Sequence, residues 1–279
     1  MKKLLSILIL IILAFSGCTE RERGVSEVKA LMASSDKSLE TYRFVTDSVQ
    51  EITTFDNSTN ASTMVVQSRD EGAVNLTART MSVLTWKNAS YGQEDLSEMR
   101  REIYLINDTA KIKLEGNWSQ ASLQDPEGYW NRQNIVEEQA TMLNRSQTEL
   151  SGSESIGGEN CYRIKVVPDM ETYKTVLLEQ VGYVLPMDHI NLTELYRSSA
   201  VNWTQWVSMD DYLLRKDHLE MRFSVTQEMT DLPEEQIADF PLEVDLNITT
   251  VYSGYNQPVE ITLPEGQWIV PIIRCADSR

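Results

Sequence analysis

The sequence predicts an α+β fold: an antiparallel sheet with one covered face, and helices to cover it. Three observations predict it. Residues 202–264 alternate between apolar and polar side chains through strand after strand, and successive strand side chains point to opposite faces. Each such strand therefore has one apolar and one wet face, as in an antiparallel sheet solvated on one side. Other segments carry an apolar stripe at helical spacing, and such a stripe must lie on something. With 279 residues, 41% of them hydrophobic, the chain is long enough for one sizeable core and reads as one large domain.

In chain order, Val25, Val28, Leu31, Met32 and Leu39 follow a helical period, giving a helix over roughly 25–40. Strands are expected over 42–55 and 62–68, around a turn at 56–61. A third strand is expected over 73–87, with Leu76, Leu84 and Trp86 on one side and Thr77, Arg79 and Lys87 on the other; 88–98 reads as a loop. Residues 102–106 and 110–114 form a hairpin about Asn107-Asp108, residue types that tolerate left-handed backbone. Gly116-Asn117-Trp118 closes it. A helix is expected over about 132–149, with Val136, Gln139 and Leu143 on its buried side, followed by a loop over 151–159. Residues 160–166 read as a strand with Tyr162, Ile164 and Val166 inward. Pro168-Asp169 then starts a helix with Tyr173 and Leu177 on its stripe and Gly182 as its stop. A further helix is expected over 188–200. Four strands close the domain, over 203–209, 213–225, 242–248 and 259–263, the last stopped by Pro264.

The amino terminus reads as an export signal. Met1-Lys2-Lys3 is basic, and Leu4 to Phe15 is apolar apart from Ser6. Such a stretch makes about 18 Å of helix, short of the ~20 residues a membrane span needs, so it reads as a signal peptide. Phe15-Ser16-Gly17-Cys18 is similar to a lipoprotein lipobox, with Phe15 where leucine is usual. The expectation is a lipid anchor on Cys18; the other reading is an ordinary cleaved signal with an incidental cysteine. A two-chain lipid gives stable attachment where one chain is marginal. The chain divides into a signal at 1–17, a tether at 18–24, the domain at 25–266 and a tail at 267–279. Cys161 and Cys275 remain, an even pair in an exported protein. They read either as a bridge, closing a loop of roughly 110 residues and contributing about 4–5 kcal/mol in the chain-entropy model, or as two unpaired thiols.

Ten asparagines stand in Asn-x-Ser/Thr: Asn57, Asn60, Asn75, Asn88, Asn107, Asn117, Asn144, Asn191, Asn202 and Asn247. Residue frequencies alone give about two, so the excess reads as glycan acceptors on a chain that faces outside. Asn88 and Asn107 fall in expected turns, Asn75 and Asn247 on the polar side of strands. A lipobox joined to dense sequons points to an archaeal cell surface. The net charge of −17 repels nucleic acid and anionic head groups, although solubility alone explains most of it.

No cofactor is expected. His189 and His218 are too few and too scattered for a metal site, and no nucleophile elbow, zinc-binding helix or phosphate loop occurs. The reading is therefore not an enzyme. His218 falls on the polar side of its strand and reads as solvated.

Several pieces occur together: the lipobox, the first helix, the hairpin ending at Gly116-Asn117-Trp118, and the run from Cys161 to Asp169, Cys-Tyr-x-Ile-x-Val-x-Pro-Asp. The run from Tyr252 to Pro264, Tyr-Ser-x-Tyr-Asn-x-Pro-Val-x-Ile-x-Leu-Pro, completes them. Together they resemble the LolA/LppX-like superfamily, in particular its archaeal and Gram-positive surface lipoproteins. The resemblance implies an incurved, unclosed antiparallel half-barrel with helices covering its concave face. It also implies a cavity between sheet and helices for lipid or lipoprotein acyl chains, or a sensory role in the envelope. Lining candidates on the apolar sides of strands are Leu76, Trp86, Ile112, Leu114, Leu219, Met221, Phe223 and Leu246; the other reading of the same residues is a closed core. The expected partners are a membrane, through the anchor, and an apolar ligand. The alternative function is a structural or sensory envelope protein acting through protein contacts.

Overall fold

The computed structural model describes residues 23–35, 39–56, 60–92, 94–181, 187–231 and 241–263. The amino-terminal half begins with helix α1 (Val25–Ser35) and continues as an up-and-down run of six strands: β1 (Thr41–Asp56), β2 (Asn60–Asn75), β3 (Thr80–Tyr91), β4 (Glu94–Ile106), β5 (Thr109–Leu114) and β6 (Asn117–Ser122). Helices α2 (Pro126–Arg132) and α3 (Ile135–Arg145) follow, then β7 (Gln147–Ile156) and β8 (Glu159–Val167). Helices α4 (Met170–Val181) and α5 (Leu192–Ser198) precede β9 (Ala200–Ser208), β10 (Leu214–Val225) and β11 (Leu242–Ser253). The strands form one antiparallel sheet in the order β6-β5-β4-β3-β2-β1-β11-β10-β9-β8-β7. It is an open half-barrel: β6 and β7 end it and do not pair with each other.

Two meanders thus meet at one seam, β1 against β11, with pairs running from Arg43–Ser253 to Thr54–Leu242. The expected strand at 259–263 does not fill that place. Tyr255 to Leu263 leaves the sheet, because Asn256 takes a left-handed backbone (φ 54°) and Pro258 has no N–H for a ladder. The segment is held by one backbone bond and one side-chain bond to Thr41 instead of a ladder. Asn256 N–H donates to the Thr41 carbonyl (2.9 Å), and the Thr41 hydroxyl donates to the Gln257 carbonyl (2.7 Å).

The helices begin at side-chain caps. Asp125 accepts from Gly128 N–H at 2.9 Å, Asp169 from Thr172 N–H at 2.9 Å and Asn191 from Glu194 N–H at 3.3 Å. The helix expected over 132–149 is two helices and the start of a strand. Gln133 ends α2, Asn134 caps α3, and after Ser146 the chain turns extended into β7, where a loop was expected over 151–159. The expected helix over 188–200 is shorter, since Ala200 already begins β9. The first helix likewise stops at Ser35. Gly182, the expected stop of α4, lies outside the described residues.

The largest departure lies at residues 73–98. The expected strand 73–87 is broken by a turn at 76–79, with Arg79 in left-handed backbone (φ 49°) and Asn75 paired with Thr80 across it. Residues 88–91 and 94–98, within the stretch expected as a loop, form the far ends of β3 and β4. Asn107-Asp108 does turn the next hairpin, with Asn107 at φ 54°. On the seam meander, Gly72 lies opposite Phe44, and a Cβ there would come within 2.2 Å of the ring. The aromatic ring occupies the space that the glycine leaves open.

All five described helices lie on one side of the sheet. One apolar cluster joins Val28 and Met32 of α1, Leu143 of α3, and Tyr173 and Leu177 of α4 to strands β8–β11. A second joins Trp130 of α2 and Val136 of α3 to Tyr42, Val74, Met81 and Leu105 on β1–β4. Trp130 Nε1–H also donates to the Asn107 carbonyl at 2.6 Å, tying α2 to the β4–β5 turn.

Candidate site on the helix-covered face

Strand register identifies the side chains of the covered face. On β1 they are the even positions from Tyr42 to Ile52, and the pairs carry this parity outward to Val74 and Val66 on β2 and to Leu246 and Val244 on β11. A polar row crosses the face between the two apolar clusters. It runs Gln205 (β9), Asp217 (β10), Thr250 (β11), Thr46 (β1), Asp70 (β2), Thr85 (β3) and Arg101 (β4), each paired with the next. Thr46 and Thr250 share a hydrogen bond of 2.9 Å.

At one end the row is tied to its neighbours. Asp217 accepts from Trp203 Nε1–H at 2.6 Å, and Gln205 Nε2 donates to Gln139 of α3. Burial pushes the Asp217 carboxyl up to about 6, against the downward pull of the bonds from Trp203 and Gln205. Burial likewise raises the neighbouring phenols Tyr252 and Tyr255 well above the usual range. Gln50 Nε2 reaches the Gln180 carbonyl of α4 at 3.4 Å, so a polar side chain also links β1 to the helix layer.

Beyond α2 and α3 the covered face continues along β3–β5. Val83 still packs on the second cluster, whereas Ile103 and Ile112 are half-buried outside both clusters and Leu114 is 43% exposed. The apolar surface outruns the described helices that pack on it.

Shallow cavities open on the opposite face. One, of about 540 Å³, is lined by Val49, Glu51, Asn202, Glu220, Arg222 and Asp245. Another, of about 610 Å³, includes Asp47, Gln67, Arg69 and Trp86. Charged pairs rim them, including Arg69–Asp47 at 2.9 Å. His218 also points this way, bonded to Thr249 at 2.8 Å and 3.3 Å from Glu220. His189 pairs with Asp231 at 2.8 Å near the surface. Among the described residues, no group of three or more His, Cys, Asp or Glu side chains converges on a metal position.

The lining candidates separate into three groups. Leu219, Met221, Phe223 and Leu246 are 2–4% exposed and fill the first cluster as closed core. Leu76 packs on the second cluster, while Ile112 and Leu114 lie on the less covered part of the face. Trp86 stands on the opposite face, a correction: the turn at 76–79 reverses parity between β2 and β3, so Val83 and Thr85 face the helices and Leu84 and Trp86 do not. The same reversal brings in Thr85 and Arg101, which sequence reading missed; Asp70 lies on β2 ahead of the turn and fell between the expected strands 62–68 and 73–87. For Asp217 a signal existed, a carboxylate on the apolar parity of Leu219 to Val225.

Of the sequons, Asn88, Asn107, Asn117, Asn144, Asn191, Asn202 and Asn247 are exposed. Asn88 lies within β3 and not in a turn. Asn75 is half-buried, and its Oδ1 accepts from Ala78 N–H at 2.8 Å. Asn60 begins β2; Asn57 and Cys18 lie outside the described residues. Cys161 is fully buried, with burial pushing its thiol up, and Cys275 lies outside the described residues.

No family model matches the chain, and no curated protein matches it. Among solved structures, the chain is similar to LprF from Mycobacterium bovis, at 13% identity and a TM-score of 0.43, over 87% of this chain and 99% of that one. It is similar to the Mycobacterium tuberculosis lipoprotein LppX, at 14% identity and a TM-score of 0.40, over 85% of this chain and 100% of that one. A third similar structure is the LolA superfamily protein NE2245 from Nitrosomonas europaea, at 11% identity and a TM-score of 0.23, over 87% and 96% of the two chains.

Proposed function

We propose that this chain is a lipid-anchored, extracytoplasmic, non-catalytic binding protein that holds an apolar ligand, a lipid or lipoprotein acyl chain, between sheet and helices. One observation carries the reading: the apolar surface of the covered face extends past its described helices along Ile103, Ile112 and Leu114. A hydrocarbon chain laid there gains about 0.8 kcal/mol for each methylene it buries. The sequence supports the setting. A basic, apolar leader ends at a lipobox-like Cys18, residues 18–24 tether the domain, and the sequons supply glycan acceptors suited to an archaeal-type outer surface. No described helix is long and apolar enough to cross a membrane, and the lipid on Cys18 is the proposed means of attachment.

The test is native mass spectrometry of a Cys18→Ser protein purified from its own envelope without detergent, repeated after organic extraction. A stoichiometric apolar adduct released only on denaturation is the expected result. A clean protein mass, with no uptake of offered membrane lipids, overturns the carrier reading and favours a scaffold for protein contacts.

A further inference from the structure

Three neighbouring polar side chains on the covered face find no protein partner among the described residues. Asp70 on β2 pairs with Thr85 on β3, and Thr85 pairs with Arg101 on β4. Directly paired residues project to the same face, roughly 5 Å apart. Asp70 Oδ1, Thr85 Oγ1 and Arg101 Nε are shut off from solvent and unbonded. Thr85 is 3% exposed, and Asp70 and Arg101 are half-buried. Two other orphaned atoms, Gln205 Oε1 and Arg215 Nη1, belong to side chains bonded elsewhere, to Gln139 and to Glu159. Asp70, Thr85 and Arg101 make no described side-chain hydrogen bond at all.

Buried polar groups are nearly always hydrogen-bonded, because burying them unpaired is costly. One orphan is an isolated cost. Three in one register row, comprising a carboxylate, a hydroxyl and a guanidinium, form a complementary set. The next row of the same face is apolar: Val83, Ile103 and Ile112. Polar and apolar rows side by side match a molecule that is itself polar at one end.

We propose that Asp70, Thr85 and Arg101 seat the head of an amphiphile, and that this head is a hydroxylated ester of the glycerol type. The proposal rests on the carrier reading above. Arg101 and Thr85 donate to the ester oxygens, and Asp70 accepts from a free head-group hydroxyl. A bare hydrocarbon satisfies none of the three, and a phosphate head brings its negative charge against Asp70.

The test uses the full chain with Cys18→Ser and two probes that share one acyl chain, monoolein and methyl oleate. Only monoolein has free hydroxyls. Each competes against the fluorescent hydrocarbon diphenylhexatriene. The wild-type row binds monoolein roughly tenfold tighter than methyl oleate, one good hydrogen bond's worth. Asp70→Leu abolishes that preference while keeping methyl oleate affinity within about twofold. Thr85→Val and Arg101→Met weaken both esters and leave diphenylhexatriene binding unchanged. Equal affinities for the two esters overturn the seat and leave the carrier reading standing. No binding of either ester or of the hydrocarbon overturns both. Equal wild-type affinities overturn the seat without any variant, so a substitution that fails to fold leaves the proposal open to refutation.

Discussion

Asp217 is a carboxylate on the core side of a strand, and its surroundings set an unusual pH dependence. Burial raises its folded-state pKa to about 6, above the unfolded value of about 3.9. The folded chain therefore holds the proton more tightly than the unfolded chain does. This contribution is fully present below pH about 4, declines as pH rises towards 6, and stays lost above it. The sign is opposite to that of most surface carboxylates. Asp217→Asn keeps an acceptor for Trp203 Nε1–H and removes the titration. Its stability relative to wild type is expected to rise between pH 4 and pH 8 by up to about 3 kcal/mol. Urea unfolding of both proteins at the two pH values checks this, and a constant difference refutes it. At the residue scale, Asp217 was legible as a break in alternation. Thr85 and Arg101 were not, because their face depends on a turn whose position the local pattern leaves ambiguous.

The elements show the same division. The hairpin at Asn107-Asp108 was legible because its turn residues take left-handed backbone readily, and the meander β9–β11 because its alternation is long. The turn at 76–79 was not: Leu76-Thr77-Ala78-Arg79 continues the strand-like alternation on both sides and contains neither glycine nor proline. Arg79 nevertheless adopts φ 49°, and its guanidinium meets Glu127 of α2 at 2.6 Å. Helix α2 is too short to stand alone, and Trp130 fixes it. Removing that side chain with Trp130→Ala is expected to cost about 3–5 kcal/mol. Trp130→Phe retains most of the apolar burial and loses the bond to the Asn107 carbonyl, a cost of about 1 kcal/mol. Urea unfolding midpoints of the two variants give the comparison; equal losses for both would show that the hydrogen bond, and not the packing, holds α2.

At the scale of the whole molecule, the chain is two meanders joined by a single long ladder between β1 and β11. Each meander was legible in outline but the seam was not, since pairing between the two ends of the domain leaves no local pattern. The apolar clusters on either side of the polar row each draw residues from both halves: Ile52 joins the first, and Leu213 the second. The halves are thus expected to unfold together. Far-ultraviolet circular dichroism and tryptophan fluorescence should give coincident urea transitions, although Trp203 and Trp206 lie in one half and Trp86 and Trp118 in the other. Separate midpoints would mean that the seam is weaker than its register implies.

The free rims at β6 and β7 have a mechanical consequence. In a closed barrel, width is fixed by the number of strands and their stagger. Here no ladder among the described residues spans the gap, so the aperture is the sum of small twists over ten strand interfaces. A change of a few degrees at each adds up at the rims while every hydrogen bond stays made. Such a sheet behaves as a leaf spring, and under the proposed carrier role it would fit cargoes of different girth by flexing and not by a hinge.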